Sequence, residues 1–384
     1  MIKGFKSNPG EKVSPFETLM LTLGARIGVG SLAGVALAIY IGGPGTIFWM
    51  WVATIIVVPN AYVESFLGVM FHEKKDGYFQ GGPAYYISKG MGNKHLAKFY
   101  AILVLIAYIF GFSTIQANTI ARSFENFNNS NPLMIGIFVA VITGYIILKG
   151  TKNIIDVSAK IMPFIGILYV SVSMLIILSN ISLIPIILKN IVSQALNFKA
   201  VGIGMFVPFI IGFQRGIFSN EAGIGSGAIA AATVDNNDAK GQGMIQIAGI
   251  YFTTLILCTL TAFIIMMSNY QIGNLNNING IELTQYALDY HLGLFGEVVL
   301  MITIFIFAFS TIISGYYYGE NSLRFLKKDT NKKDIVILKM ITIVLLIIGS
   351  ITNSLILWNI VDVFIAIMGI INIYSIFKLR DKVK

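Results

Sequence analysis

The sequence predicts an all-α membrane protein with about ten transmembrane helices. Three observations carry this prediction: 56% of the 384 residues are hydrophobic, only 12% are charged, and the mean hydropathy is +0.78. Globular domains carry about 25% charged residues, so a soluble fold of this composition could not cover its own surface. The composition therefore excludes a soluble enzyme, a nucleic-acid binder and a disordered chain.

Ten stretches are apolar for long enough to cross a bilayer, which takes about 20 residues. They are residues 15–40, 46–71, 99–121, 132–148, 160–179, 201–234, 242–268, 292–320, 335–350 and 354–377. The polar residues 1–14 precede them without the cleavage pattern of a signal peptide. The single cysteine, Cys258, excludes a disulfide framework.

The distribution of basic residues predicts the orientation of these spans. Ten spans place both termini on one side, and most of the 27 lysines and arginines fall there, whereas Arg122, Lys189 and Lys199 fall on the other side. The positive-inside rule then predicts cytoplasmic termini in a plasma-membrane protein. The net charge of +9 is thus an orientation signal and not a nucleic-acid site. Trp358 falls near the outer end of the last span, where interfacial indoles are common.

Ten spans divide into two halves of five. The first half covers residues 15–179, a connecting segment covers 180–200, the second half covers 201–377, and a cytoplasmic tail covers 378–384. Because each half has an odd number of spans, the second is inverted in the membrane relative to the first. We therefore expect an inverted repeat, although the residues themselves show no clear repeat.

The first span of each half is interrupted by glycine and polar residues, at 24–34 and at 212–227. Glycine weakens a helix interior, and freed backbone groups are tolerated in a membrane only where they line a cavity or are buried in protein. Interrupted helices at matching positions of two halves point to a substrate site. The alternative is close helix packing through small residues, which the spacings Gly30–Gly34 and Gly212–Gly216 also fit.

Charged residues at membrane depth are candidates for function. Arg26, Arg215 and Glu221 lie in the two interrupted segments. Arg215 and Glu221 either pair with each other or contact substrate. Arg26 either points into a cation site, points into a substrate cavity, or pairs with Glu64 or Glu320.

Two further groups of polar residues lie inside spans. Gln116 and Asn118 in the third span either contact substrate or form hydrogen bonds between helices. Ser310 and Thr311 in the eighth span, with a backbone carbonyl one turn earlier, offer the oxygen ligands that sodium prefers. Hydroxyl residues are common in membrane helices, so this pattern alone is weak.

These segments together resemble the alanine or glycine:cation symporter family, the sodium:alanine symporters. The matching motifs are SPF (14–16), GVGSLAGVA (28–36), GGPG (42–45), FWMW (48–51), GGPAYYI (81–87), QANTIA (116–121), RGIFSNEAGIGS (215–226), AFSTI (308–312) and YYGE (317–320). They cover nearly the whole chain in the right order, and the motif around Asn220 is the most specific. Family members usually carry one more membrane helix before the SPF motif, which we expect this chain to lack.

The resemblance implies a leucine-transporter-type fold with a five-plus-five inverted repeat and broken helices 1 and 6. It implies secondary active symport of small neutral amino acids such as alanine or glycine, with Na⁺ or H⁺ as coupling ion and no other cofactor. The partners are the amino acid and the lipid bilayer. Two alternatives stay open, namely a cation-independent exchanger and a non-transporting amino-acid sensor. The sequence contains no ATP-binding GxxxxGK[ST] motif, no HExxH motif and no evident pair of nucleophile and base.

The resemblance also assigns candidate site residues. Those for the substrate are Gly28, Val29, Gly30 and Ser31 at its carboxylate, carbonyls near Arg215 and Phe218 at its ammonium, Gly216 for room, and Gln116 at one side. Those for sodium are Gly24, Ile27, Phe307, Ser310 and Thr311. Those for coupling or specificity are Arg26, Glu221 and Gly315, the last standing where the family usually has a tryptophan.

Overall fold

Helices form most of the computed structural model, which describes residues 12–197, 203–268, 280–327 and 329–383. In chain order the α-helices are α1 (Pro15–Arg26), α2 (Ala33–Gly42), α3 (Gly45–Met70), α4 (Pro83–Gly90), α5 (Lys94–Ile106), α6 (Ser113–Asn128), α7 (Pro132–Leu148), α8 (Thr151–Ser179), α9 (Ile184–Ala195), α10 (Ile203–Asn220), α11 (Ser226–Ala231), α12 (Ala239–Ile250), α13 (Thr259–Met267), α14 (Ile281–Leu292), α15 (Leu294–Leu326), α16 (Lys332–Ile351) and α17 (Ser354–Leu379). An antiparallel hairpin of β1 (Glu73–Lys75) and β2 (Tyr78–Gln80) joins α3 to α4.

All ten predicted stretches fall on helices in the described residues. Within the described part of the chain, seven helical segments are long and apolar enough to cross a membrane, and α1 with the following Val29–Gly42 makes an eighth, bent by 62°. Two of the seven contain a π-helical stretch, Ala107–Phe112 between α5 and α6 and Tyr251–Cys258 between α12 and α13. Helix α7 is shorter than these seven segments. The predicted sixth span divides into α10 and α11. The first two residues of that span, 201 and 202, lie outside the described ranges.

Sequence patterning alone does not predict the elements that lie between the spans. The β-hairpin and α4 follow α3, α14 precedes α15, and α9 occupies most of the segment that we expected only to connect the two halves. These elements are short or amphipathic, so a search for long apolar stretches passes over them.

The capping residues explain where the first helix begins. The Ser14 hydroxyl accepts the backbone N–H of Glu17, and the Glu17 carboxylate accepts the N–H of Ser14, which forms a capping box. Pro15 stands at the first helical position, where its missing N–H costs nothing. The start of α1 is therefore fixed, and its far end is set by the break after Arg26.

Helices α3 and α15 pack against the two interrupted helices. Helix α3 packs against α10 and α12, while α15 packs against α1, α6 and α8. Glycine permits a close approach of α10 to α3, since a Cβ at Gly212 would lie 2.5 Å from the Cβ of Trp49. The small-residue packing that the Gly212–Gly216 spacing suggests is thus present between α10 and α3.

Both ends of the described chain lie on the same side of the bundle, here named the terminal side. The backbone N–H of Lys12 donates to Asp235, and the ammonium of Lys382 lies over the ring of Phe71. The opposite side is named the far side. Large apolar side chains such as Val141, at 66% exposure, face outward around the bundle, as expected for a surface covered by lipid.

Candidate functional site

Helix 1 is broken between Arg26 and Ala33. Ile27 leaves the helical conformation, and residues Val29–Ser31 form a single 3-10 turn before α2 begins. Gly28 is required here by space, since a Cβ at this position would lie 2.5 Å from the hydroxyl of Thr311 and 2.9 Å from the amide of Gln116. The backbone of the break is thus pressed directly against α6 and α15.

Gln116 and Asn118 have different surroundings although they share one helix. The Gln116 side-chain oxygen accepts the backbone N–H of Val29 at 3.1 Å, so this amide borders the break. The Asn118 amide donates to the carbonyl of Gly349 in α16 and to the carbonyl of Thr352, which directly follows α16. Asn118 therefore bonds between helices, whereas Gln116 lies at the candidate site.

Oxygen atoms of α15 and α1 meet one turn before the break. The Thr311 hydroxyl lies 2.9 Å from the carbonyl oxygen of Gly24, 3.2 Å from that of Ala25 and 3.1 Å from that of Phe307. The buried Ser310 hydroxyl lies beside Gly24 and has no partner in the described chain. We name Gly24, Phe307, Ser310 and Thr311 the oxygen cluster.

The structure also brings residues to this cluster that the sequence did not indicate. The hydroxyls of Ser314 and Ser158 lie 2.8 Å and 3.6 Å from the Cβ position of Gly24, and both are buried without partners in the described ranges. Ser314 follows Ser310 by one helical turn, so the spacing could have indicated it. Among the described residues, the Thr311 hydroxyl forms no hydrogen bond with the expected ligand Ile27 and bonds to the carbonyl of Ala25 instead.

Helix 6 is broken between α10 and α11. Glu221, Gly223 and Gly225 adopt left-handed φ values of 52°, 82° and 93°. The Asn220 side chain accepts the backbone N–H of Ala222 at 2.9 Å and closes the turn that starts the break. The predicted interruption is therefore present, but it spans residues 221–225 only.

Arg215 and Gly216 do not lie in the break. Both belong to continuous helix α10, and Gly216 packs against Met50 and Ala53 of α3. Of the two alternatives for Arg215 and Glu221, the mutual pair is wrong, because a guanidinium nitrogen of Arg215 lies 2.7 Å from a carboxylate oxygen of Asp362 in α17. An acidic residue inside an apolar span is itself a sequence signal, and it could have indicated Asp362.

Aromatic rings cover the break of helix 1. The Phe218 ring would lie 2.8 Å from a Cβ at Gly30, and it packs on Phe112 and Trp358 with centroid distances of 5.3 Å and 4.7 Å. Trp358, which we expected near the outer end of the last span, is buried against neighbouring helices. Its indole also lines a cavity of about 310 Å³ on the far side, bordered by Arg122 of α6. Phe218 and Trp358 thus stand between this cavity and the break.

Gly315 does not leave an empty pocket. A Cβ there would lie 3.3 Å from the ring of Tyr108, and Tyr108 stacks on Phe112 at a centroid distance of 4.6 Å. The tyrosine of the π-helical segment therefore occupies the space beside Gly315, where the family usually has a tryptophan.

Arg26 points away from the oxygen cluster, which corrects the expectation that it enters the cation site. Its Nη1 lies 3.3 Å and 3.2 Å from the backbone and side-chain oxygens of Gln246 in α12. Glu64 is close by, since both side chains border Gly227. Glu320 instead pairs with Arg324 at 2.8 Å.

Two broken helices, the first of which meets α15 at a buried cluster of oxygens, are typical of a secondary transporter. A family model for the sodium:alanine symporter family matches residues 1–384, and the chain belongs to that family. It is therefore a symporter and not an enzyme.

Several relatives match over nearly the whole chain. The amino-acid carrier protein AlsT of Bacillus subtilis is 38% identical over 99% of this chain and 81% of its own length. The probable sodium/glutamine symporter GlnT of the same species is 36% identical, covering 99% and 79%. The sodium/alanine symporter AgcS of Methanococcus maripaludis is 32% identical, covering 97% and 83%.

A solved transporter structure has the same fold. The crystal structure of MhsT in complex with L-phenylalanine matches with a TM-score of 0.67 at 14% identity, over 93% of this chain and 87% of that one. This match confirms the predicted leucine-transporter-type fold class. The count of ten spans and the five-plus-five repeat stay predictions.

Proposed function

We propose that this chain is a sodium-coupled symporter of small neutral amino acids such as alanine or glycine. The observation that carries the proposal is the junction of Gly24, Gly28, Ser310 and Thr311, where neutral oxygens and an unwound backbone segment lie side by side. Neutral oxygens suit Na⁺, and the start of the second half-helix suits a carboxylate. The relatives named as amino-acid carrier and sodium/alanine symporter support the same substrate and ion.

For the sodium ion we propose the oxygen cluster. The hydroxyl oxygens of Ser310 and Thr311 and the carbonyl oxygens of Gly24 and Phe307 supply ligands without a formal charge. The carbonyl of Ala25 joins them. Ile27, which the sequence indicated as a ligand, would bind the ion only after the backbone of the break rearranges. A site without carboxylates binds a cation weakly enough to release it in each cycle.

For the amino acid we propose the break of helix 1. The backbone N–H groups of Gly28 and Gly30 meet the carboxylate, and the buried Ser31 hydroxyl, which has no partner among the described residues, adds a donor. The carbonyl of Phe218, in the last turn of α10, accepts from the ammonium, while Gln116 holds Val29 in place. Arg215 contributes indirectly, through its ion pair with Asp362. Gly216 contributes by letting α10 pack closely against α3.

The protein works in the plasma membrane with the terminal side in the cytoplasm. The excess of basic residues on that side supports this orientation under the positive-inside rule. The cavity behind Trp358 then faces the outside, and substrate enters from it. Because Phe218 and Trp358 cover the break, these rings have to move before substrate reaches the site.

Uptake by proteoliposomes tests the function. With labelled alanine outside, we expect accumulation when an inward sodium gradient is imposed and none when sodium is equal on both sides at neutral, matched pH. Exchange without any dependence on sodium would instead identify a uniporter or exchanger. Alanine binding without transport in either assay would identify a sensor and overturn the proposal.

A further inference from the structure

A cavity on the terminal side of the bundle has several lysines in its lining. Its volume is about 520 Å³, and its walls come from β1, α4, the start of α5 and the end of α15. That volume lies in the range of about 300–1,000 Å³ that is typical of small-molecule sites. The Lys89 ammonium donates to the carbonyl of Phe71 at 3.2 Å, beside the contact between Phe71 and Lys382 on the terminal side. We name the cavity the lysine pocket, after Lys75, Lys89, Lys94 and Lys98.

The positive charge of the lysine pocket is only partly neutralised. Among the described residues that line it, four lysines face one acidic side chain, that of Glu73, which leaves an excess of three positive charges. The Glu73 carboxylate lies 2.8 Å from the Lys89 ammonium and 3.9 Å from that of Lys75. Lys94 and Lys98 are exposed and form no ion pair within the described ranges. A concave site lined by one sign of charge attracts ions of the opposite sign, so the pocket is suited to an anion.

The helix that carries two of these lysines becomes apolar within one turn of the pocket. Residues four apart lie on one helix face, so Lys94, Lys98 and Ile102 follow one another along α5. Ile102 is 43% exposed, and Phe99, next to Lys98, is 49% exposed, as expected for side chains that contact lipid. The outer surface of α5 therefore changes from ammonium groups to apolar side chains over about 6 Å. A molecule that fits both parts has an anionic head and an apolar tail.

We propose that the lysine pocket binds the headgroup of an anionic phospholipid, whose acyl chains lie on Phe99 and Ile102. Lysine ammonium groups bind phosphate oxygens as point charges, and those of Lys94 and Lys98 are available for this. The headgroup of phosphatidylcholine is disfavoured, because it brings a quaternary ammonium into a site that is already positive. A soluble phosphate compound would use the lysines but not the apolar surface beside them, so we assign the pocket to a lipid. Basic pockets on the cytoplasmic side, where we place this one, suit anionic headgroups.

The position of the pocket connects a bound lipid to the helix that carries the oxygen cluster. The Tyr85 ring of α4 packs on Phe325, in the last turn of α15, with a centroid distance of 5.0 Å. The Lys75 ammonium donates to the carbonyl of Arg324 at 3.4 Å in the same turn. A headgroup in the pocket therefore lies between the β-hairpin, the start of α5 and the end of α15. The inference does not depend on which amino acid or ion the protein transports.

Native mass spectrometry of the full chain tests the proposal. Delipidated protein in detergent is titrated with dioleoyl phosphatidylglycerol or with dioleoyl phosphatidylcholine, which share their acyl chains and differ in headgroup charge. We expect phosphatidylglycerol to bind at least about tenfold more tightly, since each lysine near a membrane surface adds to the attraction. Equal binding of the two lipids would overturn the proposal. Glycerol 3-phosphate is the soluble competitor and should leave the lipid bound. Displacement at concentrations equal to that of the lipid would show that the pocket takes a soluble anion instead.

Variants locate the lipid on the protein. Lys94→Gln with Lys98→Gln should weaken phosphatidylglycerol binding at least about tenfold and leave phosphatidylcholine binding unchanged. The matched control is Lys332→Gln with Lys333→Gln, which removes two exposed positive charges at the start of α16, outside the pocket. An equal loss in both double variants would show a general attraction to charge and overturn the site.

A third variant tests the apolar part of the site. Ile102→Asn should weaken phosphatidylglycerol binding, because the acyl chains lose an apolar contact on α5. Unchanged binding by this variant would contradict the placement of the acyl chains. The comparison of the two lipids on wild-type protein decides the headgroup assignment even if a variant does not insert.

Discussion

The hydroxyl oxygen of Thr311 lies 2.9 Å from the carbonyl oxygen of Gly24, and this contact joins α15 to the last turn of α1 before its break. With the Ser310 hydroxyl it forms the part of the oxygen cluster that side chains supply. Replacing both by alanine removes two oxygens and leaves the carbonyls, with the hydroxyls of Ser158 and Ser314 beside Gly24. We expect Ser310→Ala with Thr311→Ala to raise the sodium concentration for half-maximal uptake by about tenfold or more, which corresponds to about 1.4 kcal/mol.

A hydroxyl elsewhere on the same helix provides the control for that experiment. Thr303 is buried in α15, and its hydroxyl donates to the carbonyl of Val299 within the helix. Thr303→Ala should therefore leave sodium activation as it is. An equal loss in both variants would mean that α15 is merely destabilised, and unchanged activation in the double variant would remove the cluster as a sodium site.

Gly28 is the position where the break tolerates a side chain least. An alanine Cβ would lie 2.5 Å from Thr311 Oγ1 and 2.9 Å from the Gln116 amide, so the break or both helices have to shift. We expect Gly28→Ala to reduce alanine uptake at least about tenfold, since misplacement of binding groups by about 1 Å has effects of that size.

Gly34, in α2, has a different environment. The atom nearest to its Cβ position is in the Trp358 ring at 3.7 Å, an ordinary contact distance. Gly34→Ala should therefore retain uptake and favour the helix by about 1 kcal/mol. Uptake and the amount of inserted protein are measured for both variants, and normal uptake by Gly28→Ala would show that the break does not need close contact.

Much of this fold is predictable because a bilayer demands long apolar helices and penalises every interruption of them. The same physics points to both breaks, although glycine enrichment alone cannot separate the break at 221–225 from packing at Gly212 and Gly216. Both features use small residues, and only three-dimensional contacts tell them apart.

The partners of charged and aromatic residues are less predictable. Many carboxylates along the sequence could pair with Arg215. In the structure its partner is Asp362, which is 147 positions away. Trp358 is typical of an interface by its place in the span, yet it packs on Phe218 inside the bundle. Tyr108 fills the space beside Gly315 because the π-helical segment sets its direction. Such pairings depend on which helix faces are in contact, and one sequence does not contain that information.

Asp235 attaches the N-terminal segment to the loop before α12. One carboxylate oxygen accepts the backbone N–H of Lys12 at 3.1 Å, and the other lies 3.4 Å from the ammonium of Lys74. These donors hold the pKa of Asp235 below its ordinary value, the Lys12 backbone N–H having the largest effect. The attachment is thus complete above the ordinary carboxyl pKa and is lost as the pH falls through the lowered one.

Hydrogen exchange at the Lys12 amide measures this attachment. We expect Asp235→Asn to increase exchange near neutral pH, and wild-type protein to lose protection only in acid. Asp381→Asn, which alters an exposed carboxylate near the other end of the chain, is the control and should leave that amide protected. Equal exchange in Asp235→Asn and wild type would show that the backbone pairing between Asp235 and Val13 is sufficient.

The Arg215–Asp362 pair is mostly buried, with side-chain exposures of 6% and 14%, and Gln214 donates to the same carboxylate. Removing one partner of a buried pair strands the other charge and costs about 3–5 kcal/mol. We therefore expect Asp362→Asn to lower the melting temperature by several degrees and to reduce uptake. Asp156→Asn, in an ion pair with Lys152 that is about 40% exposed on each side, should change stability by less than about 1 kcal/mol.

A double variant separates the stranded charge from the loss of the pair itself. Replacing Arg215 by Met and Asp362 by Leu removes both charges and keeps apolar volume at the site, so we expect most of the lost stability to return. The guanidinium also lies 4.8 Å from the centroid of the Trp358 ring, beside the rings that cover the break. Uptake should therefore stay low in the double variant although the melting temperature recovers. Recovery of both would show that the pair only stabilises the fold, and recovery of neither would show that its charges are required for folding.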